Sequence, residues 1–400
     1  MGAGHHHLDD EADAPAPAPA RRLLLFVLAP LLIATAIGLL VLWPDPQPAG
    51  RSSFDFGYDS QPVKGVVRGE RFGPCASTPA DSGIECRFFD VRLEEGPEAG
   101  ETIALELQES PTSVRLEPGD RIVLGRASDP GIPEDLRYTF ADFQRGPPLL
   151  LLLALFVVAV LALGRWHGLR ALVGLGLSLV VLVKFVLPSI LEGNDATAVA
   201  LVGSALVMLA TLYLTHGFND RTTTAVVGTL VSLGLTGVLA TAFIALTELT
   251  GLADEDARIL QIASTNIDLR GLILAGIIIG TLGVLDDVTV TQVSAVWELH
   301  RANPDLGRRG LYSAALRIGR DHIASTVNTL VLAYAGASLP LLVLFIEVRR
   351  GLADVLTGET VATEVVRTLV GSIGLVASVP ITTALAAVVV AGWDSRRSAD

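Results

Sequence analysis

The chain has 400 residues, of which 50% are hydrophobic and 18% charged, and its mean hydropathy is +0.53. The formal net charge of −13 argues against a nucleic-acid partner, because no basic surface is available to meet phosphates. Apolar runs long enough to cross a bilayer recur along the sequence. They predict an α-helical polytopic membrane protein with about eight transmembrane helices embedded in the lipid bilayer.

The N-terminal region is predicted to be a tail followed by an anchor. Residues 1–20 contain the repeat "APAPAPA", which indicates a disordered cytoplasmic tail, and we expect the histidines at 5–7 to be solvated. Residues 21–44 hold the first apolar run, Leu23 to Trp43, behind Arg21 and Arg22. A cleaved signal peptide is the alternative, but the apolar run is too long and lacks a clear small-x-small site, so we predict a retained transmembrane anchor.

Residues 45–146 are hydrophilic and carry 11 Lys/Arg against 19 Asp/Glu, a net charge of −8. Five segments alternate or run apolar between turn residues, which predicts a small extracytoplasmic β domain, either a barrel or a sandwich. "EPGD" at Glu117 to Asp120 predicts a turn between two of these strands. Cys75 and Cys86 are predicted to form a disulfide worth about 2–3 kcal/mol, since a metal site would need further ligands nearby.

Residues 147–394 are predicted to form a seven-helix transmembrane domain, followed by a cytoplasmic tail at 395–400. The predicted spans are Leu149–Gly164, Leu169–Leu191, Ala196–Thr215, Thr223–Thr247, Gly271 to about Val290, Ile323–Ile346 and Val365–Trp393. With the anchor they make eight, so both termini lie on one side. Twelve arginines fall in the segments then assigned to the cytoplasm and five in the short outer loops, which favours cytoplasmic termini. Pro340 and Pro380 are expected to interrupt the last two spans.

An acid pair, Asp286 and Asp287, follows the apolar run that starts at Gly271. Asp287 is about 16 residues along this span, or ~24 Å at 1.5 Å per residue, which places it in the inner third of the bilayer. It shares a helical stripe with Gly276, Gly280, Gly283 and Thr291, so we predict that Asp287 faces the bundle interior. Asp286 is turned by about 100° and is predicted to point elsewhere. The alternative is that two acids simply end a helix where it meets water.

Two other helix ends place polar groups at a similar depth. His216 and Asp220 are four residues apart and enclose Asn219, while Asp321, Ser325 and Asn328 share one face of the seventh span. A helix cap explains the first cluster equally well, and an interfacial collar explains part of the second. Ionisable residues within the membrane nevertheless favour a functional site. The predicted transport or ion site therefore comprises Asp287, Asn328, His216, Asp220, Asp286, Thr291 and Asp321.

Four strings carry a family resemblance: "THGFNDRTTTAVVGTL", "GTLGVLDDVTVTQVSAVWEL", "IGRDHIASTVNTLVLAYAGASLPLL" and "SIGLVASVPITTALAA". Together they resemble the YibE/F-like membrane proteins of bacteria, from about Leu149 onward. The resemblance implies a multi-spanning protein of the bacterial plasma membrane with an N-terminal anchor, an extracytoplasmic domain and permease-type function.

The leading functional hypothesis is a permease or channel for an ion or small polar solute, with Asp287 as cation ligand or proton relay and the Asn328 amide as neutral ligand. No cofactor is expected, since no nucleotide-binding motif occurs, and the sequence identifies no metal. A sensor or assembly factor acting through the β domain is the alternative. An intramembrane aspartyl hydrolase is disfavoured because "GVLDD" lacks the glycine spacing of such enzymes, so no enzymatic activity is expected. The sequence does not indicate an oligomeric state.

Overall fold

The computed structural model describes residues 18–45, 60–74, 85–108, 114–127, 137–253, 255–263, 267–347 and 351–391. It is mostly helical, with several long apolar helices and one small antiparallel sheet. The chain divides into two compact units, Gly50–Leu163 and the remainder. The predicted C-terminal tail and most of the N-terminal tail, including the histidines at 5–7, lie outside the described residues.

The sheet contains the five predicted strands in the order β3-β2-β1-β4-β5. Their bounds are β1 Ser60–Pro74, β2 Glu85–Leu93, β3 Thr102–Gln108, β4 Arg121–Ala127 and β5 Tyr138–Phe143. The long central strand β1 pairs with β4 through its first half and with β2 through its second, and the register shifts between Val67 and Gly69. The edge strands β3 and β5 also contact each other, so the sheet curls towards a partly open barrel.

Alternating side chains of the strands form the core of the β domain. Val63, Val67, Phe89 and Ile122 are almost fully buried there, because successive residues of a strand point to opposite faces. The predicted turn at "EPGD" is present: the Glu117 N–H donates to the Asp120 carboxylate at 2.8 Å. It leads into β4, but residues 114–117 before it do not form the expected second strand. Cys86 is buried and disulfide-bonded, whereas Cys75 lies outside the described residues.

The remaining elements are helical. They are α1 Ala18–Val41, α2 Gly146–Val181, a π-helical turn Leu182–Val186, α3 Leu187–Leu191, α4 Ala196–His216, α5 Asp220–Leu246, α6 Glu255–Ala263, α7 Leu269–Ala302, α8 Arg308–Ala337, α9 Leu339–Glu347, α10 Leu352–Thr357 and α11 Glu359–Ala391.

The first of the two proline predictions is confirmed, because the helix breaks between Ala337 and Leu339, just before Pro340. The second is wrong. Pro380 lies inside a continuous α11. Apolar helices of this kind tolerate a proline when neighbouring groups supply hydrogen-bond partners for the backbone carbonyl that the proline leaves free.

Among the described residues, six helices are long and apolar enough to cross a membrane, or seven if α8 and α9, bent by 59°, form one span. Two predicted spans, Leu149–Gly164 and Leu169–Leu191, fall within the single 46-residue segment Gly146–Leu191. Its backbone is non-helical at Arg165, where φ is 47° and ψ is −124°. This break separates the two predicted spans.

Helices α5, α7 and α11 pack against one another and form the centre of the helical unit, with α4 against α7 and α8 against α11 and α7. α5 and α11 approach closely at two levels, because small residues allow backbones to come together. A Cβ at Gly228 would lie 2.6 Å from the Thr382 hydroxyl, and one at Gly374 would overlap the Thr236 hydroxyl. The two contacts are eight residues apart on each helix, which fixes an antiparallel register.

Candidate functional site

The acid pair is oriented differently from the prediction. The Asp287 side chain is 72% exposed, whereas Asp286 is half-buried and its Oδ1 atom is buried with no hydrogen-bond partner in the described part of the chain. α7 instead buries Leu285, Val288 and Thr289, and the Thr289 hydroxyl lies 2.6 Å from that of Thr229 on α5. The prediction that Asp287 faces the bundle interior is therefore wrong, and Asp286 is the more enclosed of the two.

The glycine stripe, defined as Gly276, Gly280, Gly283 and Asp287 on α7, instead faces a groove towards α8 and α11. Polar groups of those helices lie beside the stripe at three levels. A Cβ at Gly276 would lie 3.7 Å from Arg367 Nη2, and a Cβ at Gly280 would lie 3.2 Å from the Tyr334 hydroxyl. At the third level, His322 Nε2 lies 3.9 Å from Asp287 Oδ2. A Cβ at Gly283 would meet nothing within 4 Å. The stripe is thus open at Gly283, with polar groups at the levels on either side of it.

At one end of this groove lies an ion pair inside a cavity. Arg367 Nη1 donates to Glu364 at 2.7 Å, and both side chains are 28% exposed. They line a cavity of about 210 Å³ together with Thr360, Thr363 and apolar residues of α6 and α7. The Nε of Arg367 is buried and makes no hydrogen bond within the described residues. Sequence reasoning missed this pair; its signal was the i, i+3 spacing of opposite charges in an otherwise apolar span.

A second cavity, of about 170 Å³, lies between the junction of α4 and α5 and helix α7. Val290 and Val293 of α7 line one part of it, and the polar side chains that line it are those of His216, Asn219, Arg221 and Thr222. Asp286 precedes the two valines by four and seven residues, so it lies on the same face of α7, about one turn deeper. The predicted cluster around His216 is therefore near Asp286 rather than Asp287.

The helix-cap interpretation of this cluster also holds. Asn219 is the N-cap of α5: its side chain accepts the Thr222 N–H at 2.8 Å and donates to the His216 carbonyl at 2.9 Å. Asp220 does not line the cavity and lies 3.9 Å from Arg21 of α1. Capping and cavity lining are compatible, because Asn219 caps α5 and also lines the cavity.

The polar residues of α8 do not join Asp287 as predicted. Asn328 and Asp321 are exposed, and Asn328 is turned by about 120° from both His322 and Tyr334, which face α7. The structure therefore does not bring Asn328 next to Asp287, with which it was expected to share a site. Thr291 is exposed one turn beyond Asp287 on the same stripe, as its spacing predicted.

Sequence reasoning also missed a buried hydrogen-bonded cluster between the central helices. Gln292 Nε2 donates to the Ala315 carbonyl and to Thr383 Oγ1, both at 2.8 Å, and the hydroxyls of Thr229 and Thr289 are 2.6 Å apart. These side chains are almost fully buried, so the bonds join α7 to α5, α8 and α11. The described residues contain no group of three or more His, Cys, Asp or Glu that would hold a metal ion.

A family model for YibE/F-like proteins matches residues 152–392, more than half of the chain, so the chain belongs to the YibE/F-like family. This match confirms the resemblance of the four sequence strings. The comparison with curated proteins and the comparison with solved structures each gave no match.

Proposed function

We propose that this YibE/F-like chain is a multi-spanning protein of the bacterial plasma membrane that conducts an ion or a small polar solute along the glycine stripe of α7. The observation that carries the proposal is the row of polar groups beside that stripe, Arg367, Tyr334 and the Asp287–His322 pair. From Gly276 to Asp287 it extends over 11 residues, about 16 Å, or roughly half of a hydrocarbon core. Polar groups at such depth are costly in lipid and favour a hydrated path.

The proposed membrane arrangement has eight spans with both termini in the cytoplasm. The 46-residue segment Gly146–Leu191 is about twice the ~20 residues that a crossing needs, so we count it as two spans separated at Arg165. With α8 and α9 as one bent span, the total is eight. The β domain is then extracytoplasmic, where an oxidising environment suits the disulfide at Cys86.

Contacts between helix ends support this alternation. At the proposed inner side, Arg21 lies near Asp220 and Arg221 lies 4.0 Å from Glu298. At the proposed outer side, the Asp45 N–H donates to Glu192 at 3.2 Å, and Glu359 accepts hydrogen bonds from Thr250 and Gly251. None of these contacts joins an end assigned to one side with an end assigned to the other. Labelling single cysteines at Ser60 and Ser398 in intact cells tests the arrangement; labelling of Ser398→Cys by an impermeant reagent would overturn it.

Flux into proteoliposomes tests the proposed path. We expect protein-dependent movement of H⁺, Na⁺, K⁺ or Mg²⁺, followed with an internal pH dye or cation indicators. Asp287→Asn removes the exposed charge on the stripe and should abolish the flux. Asp321→Asn is the matched control, because Asp321 is an exposed acid on α8 that faces away from the stripe. Equal flux through both variants would overturn the assigned path, and no flux of any of the four ions would overturn ion conduction.

A blocking substitution gives an independent reading. Gly283→Leu fills the open level of the stripe, where an added side chain meets nothing within 4 Å, so the protein should fold and the flux should fall. Gly234→Leu is the matched control: Gly234 is an exposed glycine of α5, with equally open surroundings. Flux retained in Gly283→Leu would contradict the proposed route.

A second function, partner binding by the β domain, is favoured by one surface feature. Phe72 is 59% exposed and lies against Arg87, while Arg71 lies against Phe88, each guanidinium 5.2 Å from the ring centroid. Aromatic and arginine side chains are enriched in protein interfaces. Cross-linking of Phe72 replaced by a photoreactive residue in intact cells tests this role, and the absence of any adduct would count against it.

A further inference from the structure

One face of α8 is exposed along most of its length, and it carries a polar side chain well inside the proposed membrane. The Asn328 face comprises Asp321, Ala324, Ser325, Asn328, Val331, Leu332 and Ala335, all of them exposed. These residues recur at steps of three and four, so they lie on one side of the helix. The opposite side of α8 contacts α7 and α11.

The depth of Asn328 follows from the contact between His322 and Asp287. That contact places His322 at the level of Asp287, and Asn328 is six residues, or about 9 Å, farther along α8 towards the membrane centre. The Asn328 amide makes no hydrogen bond within the described part of the chain. Lipid tails offer no hydrogen bonds, so an amide facing them at this depth would be costly.

We propose that two copies of this chain pair in the membrane through their Asn328 faces, with the two Asn328 amides bonded to each other. An amide has both donors and an acceptor, so it is complementary to its own copy across a two-fold axis. An axis along the membrane normal also brings both amides to the same depth. Ala324, Ser325 and Ala335 are small and let the two helices approach closely. The pairing is independent of the proposed conduction path, since Asn328 points away from the glycine stripe.

Cysteine cross-linking in native membranes tests the pairing. Ser325→Cys and Ala335→Cys keep the Asn328 amide, and each should give a reducible product of twice the 42.0 kDa chain mass after mild oxidation. Val238→Cys is the control, because Val238 is 69% exposed on α5 and lies in an apolar span. No such product from either α8 variant, a product of another mass, or equal dimer from Val238→Cys would each overturn the proposal.

The role of the amide is tested separately by measuring dimerisation of purified protein in detergent. Asn328→Leu removes donor and acceptor but suits a lipid-facing surface, so the monomer should fold. We expect about three- to thirtyfold weaker dimerisation, from the usual range for hydrogen bonds between transmembrane helices. Asn328→Gln keeps the amide and should retain most of the dimer. Undiminished dimerisation of Asn328→Leu would overturn the assigned contact, whatever the flux assays show.

Discussion

The contact between α5 and α11 at Gly374 makes the sharpest stability prediction. A Cβ at Gly374 would overlap the Thr236 hydroxyl and lie 3.2 Å from Thr236 Cβ. Thr236 has little freedom to move, because it is fully buried and its hydroxyl donates to the Ser232 carbonyl at 2.8 Å. Gly374→Ala must therefore separate two central helices, and overpacking of this kind costs about 1–3 kcal/mol. At roughly 2–4 °C per kcal/mol for a unit of this size, the melting temperature should fall by about 2–12 °C.

The assay is thermal unfolding of detergent-purified protein, followed by the loss of the monodisperse peak. Gly234→Ala is the control on α5, because a Cβ at Gly234 meets nothing within 4 Å and alanine favours the helix. Its melting temperature should stay equal or rise. Thr236→Ala combined with Gly374→Ala should recover part of the loss, since the overlapping hydroxyl is gone. A Gly374→Ala protein that melts like the wild type would refute the close approach of the two helices.

Three further predictions concern single side chains. Gln292→Leu leaves two buried oxygen acceptors without their donor and should cost about 1–3 kcal/mol in thermal unfolding, whereas Ser294→Ala, which loses only a bond to its own helix, should cost less. In the β domain, hydrogen bonds from an arginine and a tyrosine lower the pKa of Glu98. The ionised Glu98 carboxylate therefore stabilises the fold at pH values above the ordinary glutamate pKa, and this stabilisation is lost as the pH falls through the lowered pKa of the folded protein. The melting temperatures of wild type and Glu98→Gln should accordingly differ at neutral pH and converge in acid, and a constant difference would contradict this. Asp286→Leu removes a buried, unpaired oxygen and should raise the melting temperature, while Asp287→Leu at the exposed position should not.

The contacts around Glu98 show what that pH test probes. Arg126 donates from both Nε and Nη2 to the two carboxylate oxygens at 3.2 and 3.1 Å, and the Tyr138 hydroxyl donates to the same group. Arg137 lies 3.7 Å from it. Glu98 thus joins the β2–β3 turn to β4 and β5, so protonation weakens three connections at once.

The sequence predicted which segments form strands and helices, but it did not predict which side of α7 packs against its neighbours. The five strands, the turn at Glu117–Asp120 and the apolar helices all follow from local periodicity and turn residues, which do not depend on distant packing. The orientation of the acid pair did not follow, because it depends on which neighbours α7 meets. The glycines suggested a packed face. The structure instead packs α7 through Leu285, Thr289 and Gln292, places Gly276 and Gly280 beside polar groups of α11 and α8, and leaves Gly283 open.

The grouping of the candidate residues could be predicted from the sequence only where those residues are close in the chain. Asp287 and Thr291 share a stripe and His216 and Asn219 share a cavity, since residues within one turn stay together in any packing. The partners across helices, His322 for Asp287 and Glu364 with Arg367 beside Gly276, required the tertiary arrangement. Asn328 was assigned to the site by its depth and by the face of α8 that it shares with Asp321 and Ser325, and neither shows which helix that face meets. Depth fixes the level of a residue along the membrane normal but not its angle around the helix axis.

The acid pair now has a physical interpretation. Adjacent residues on a helix are about 100° apart, so Asp286 and Asp287 cannot share one environment. Asp286 lies about one turn from Val290 on the same face of α7, and Val290 and Val293 line the cavity near His216. Asp287 lies in the groove beside His322. Two acids that only marked the end of a membrane helix would both meet water. Instead one carboxylate oxygen is buried without a partner, and α7 continues to Ala302, about four turns beyond the pair. The pair therefore stands where two polar spaces approach the same helix from different sides, and the conduction path proposed above would end between them.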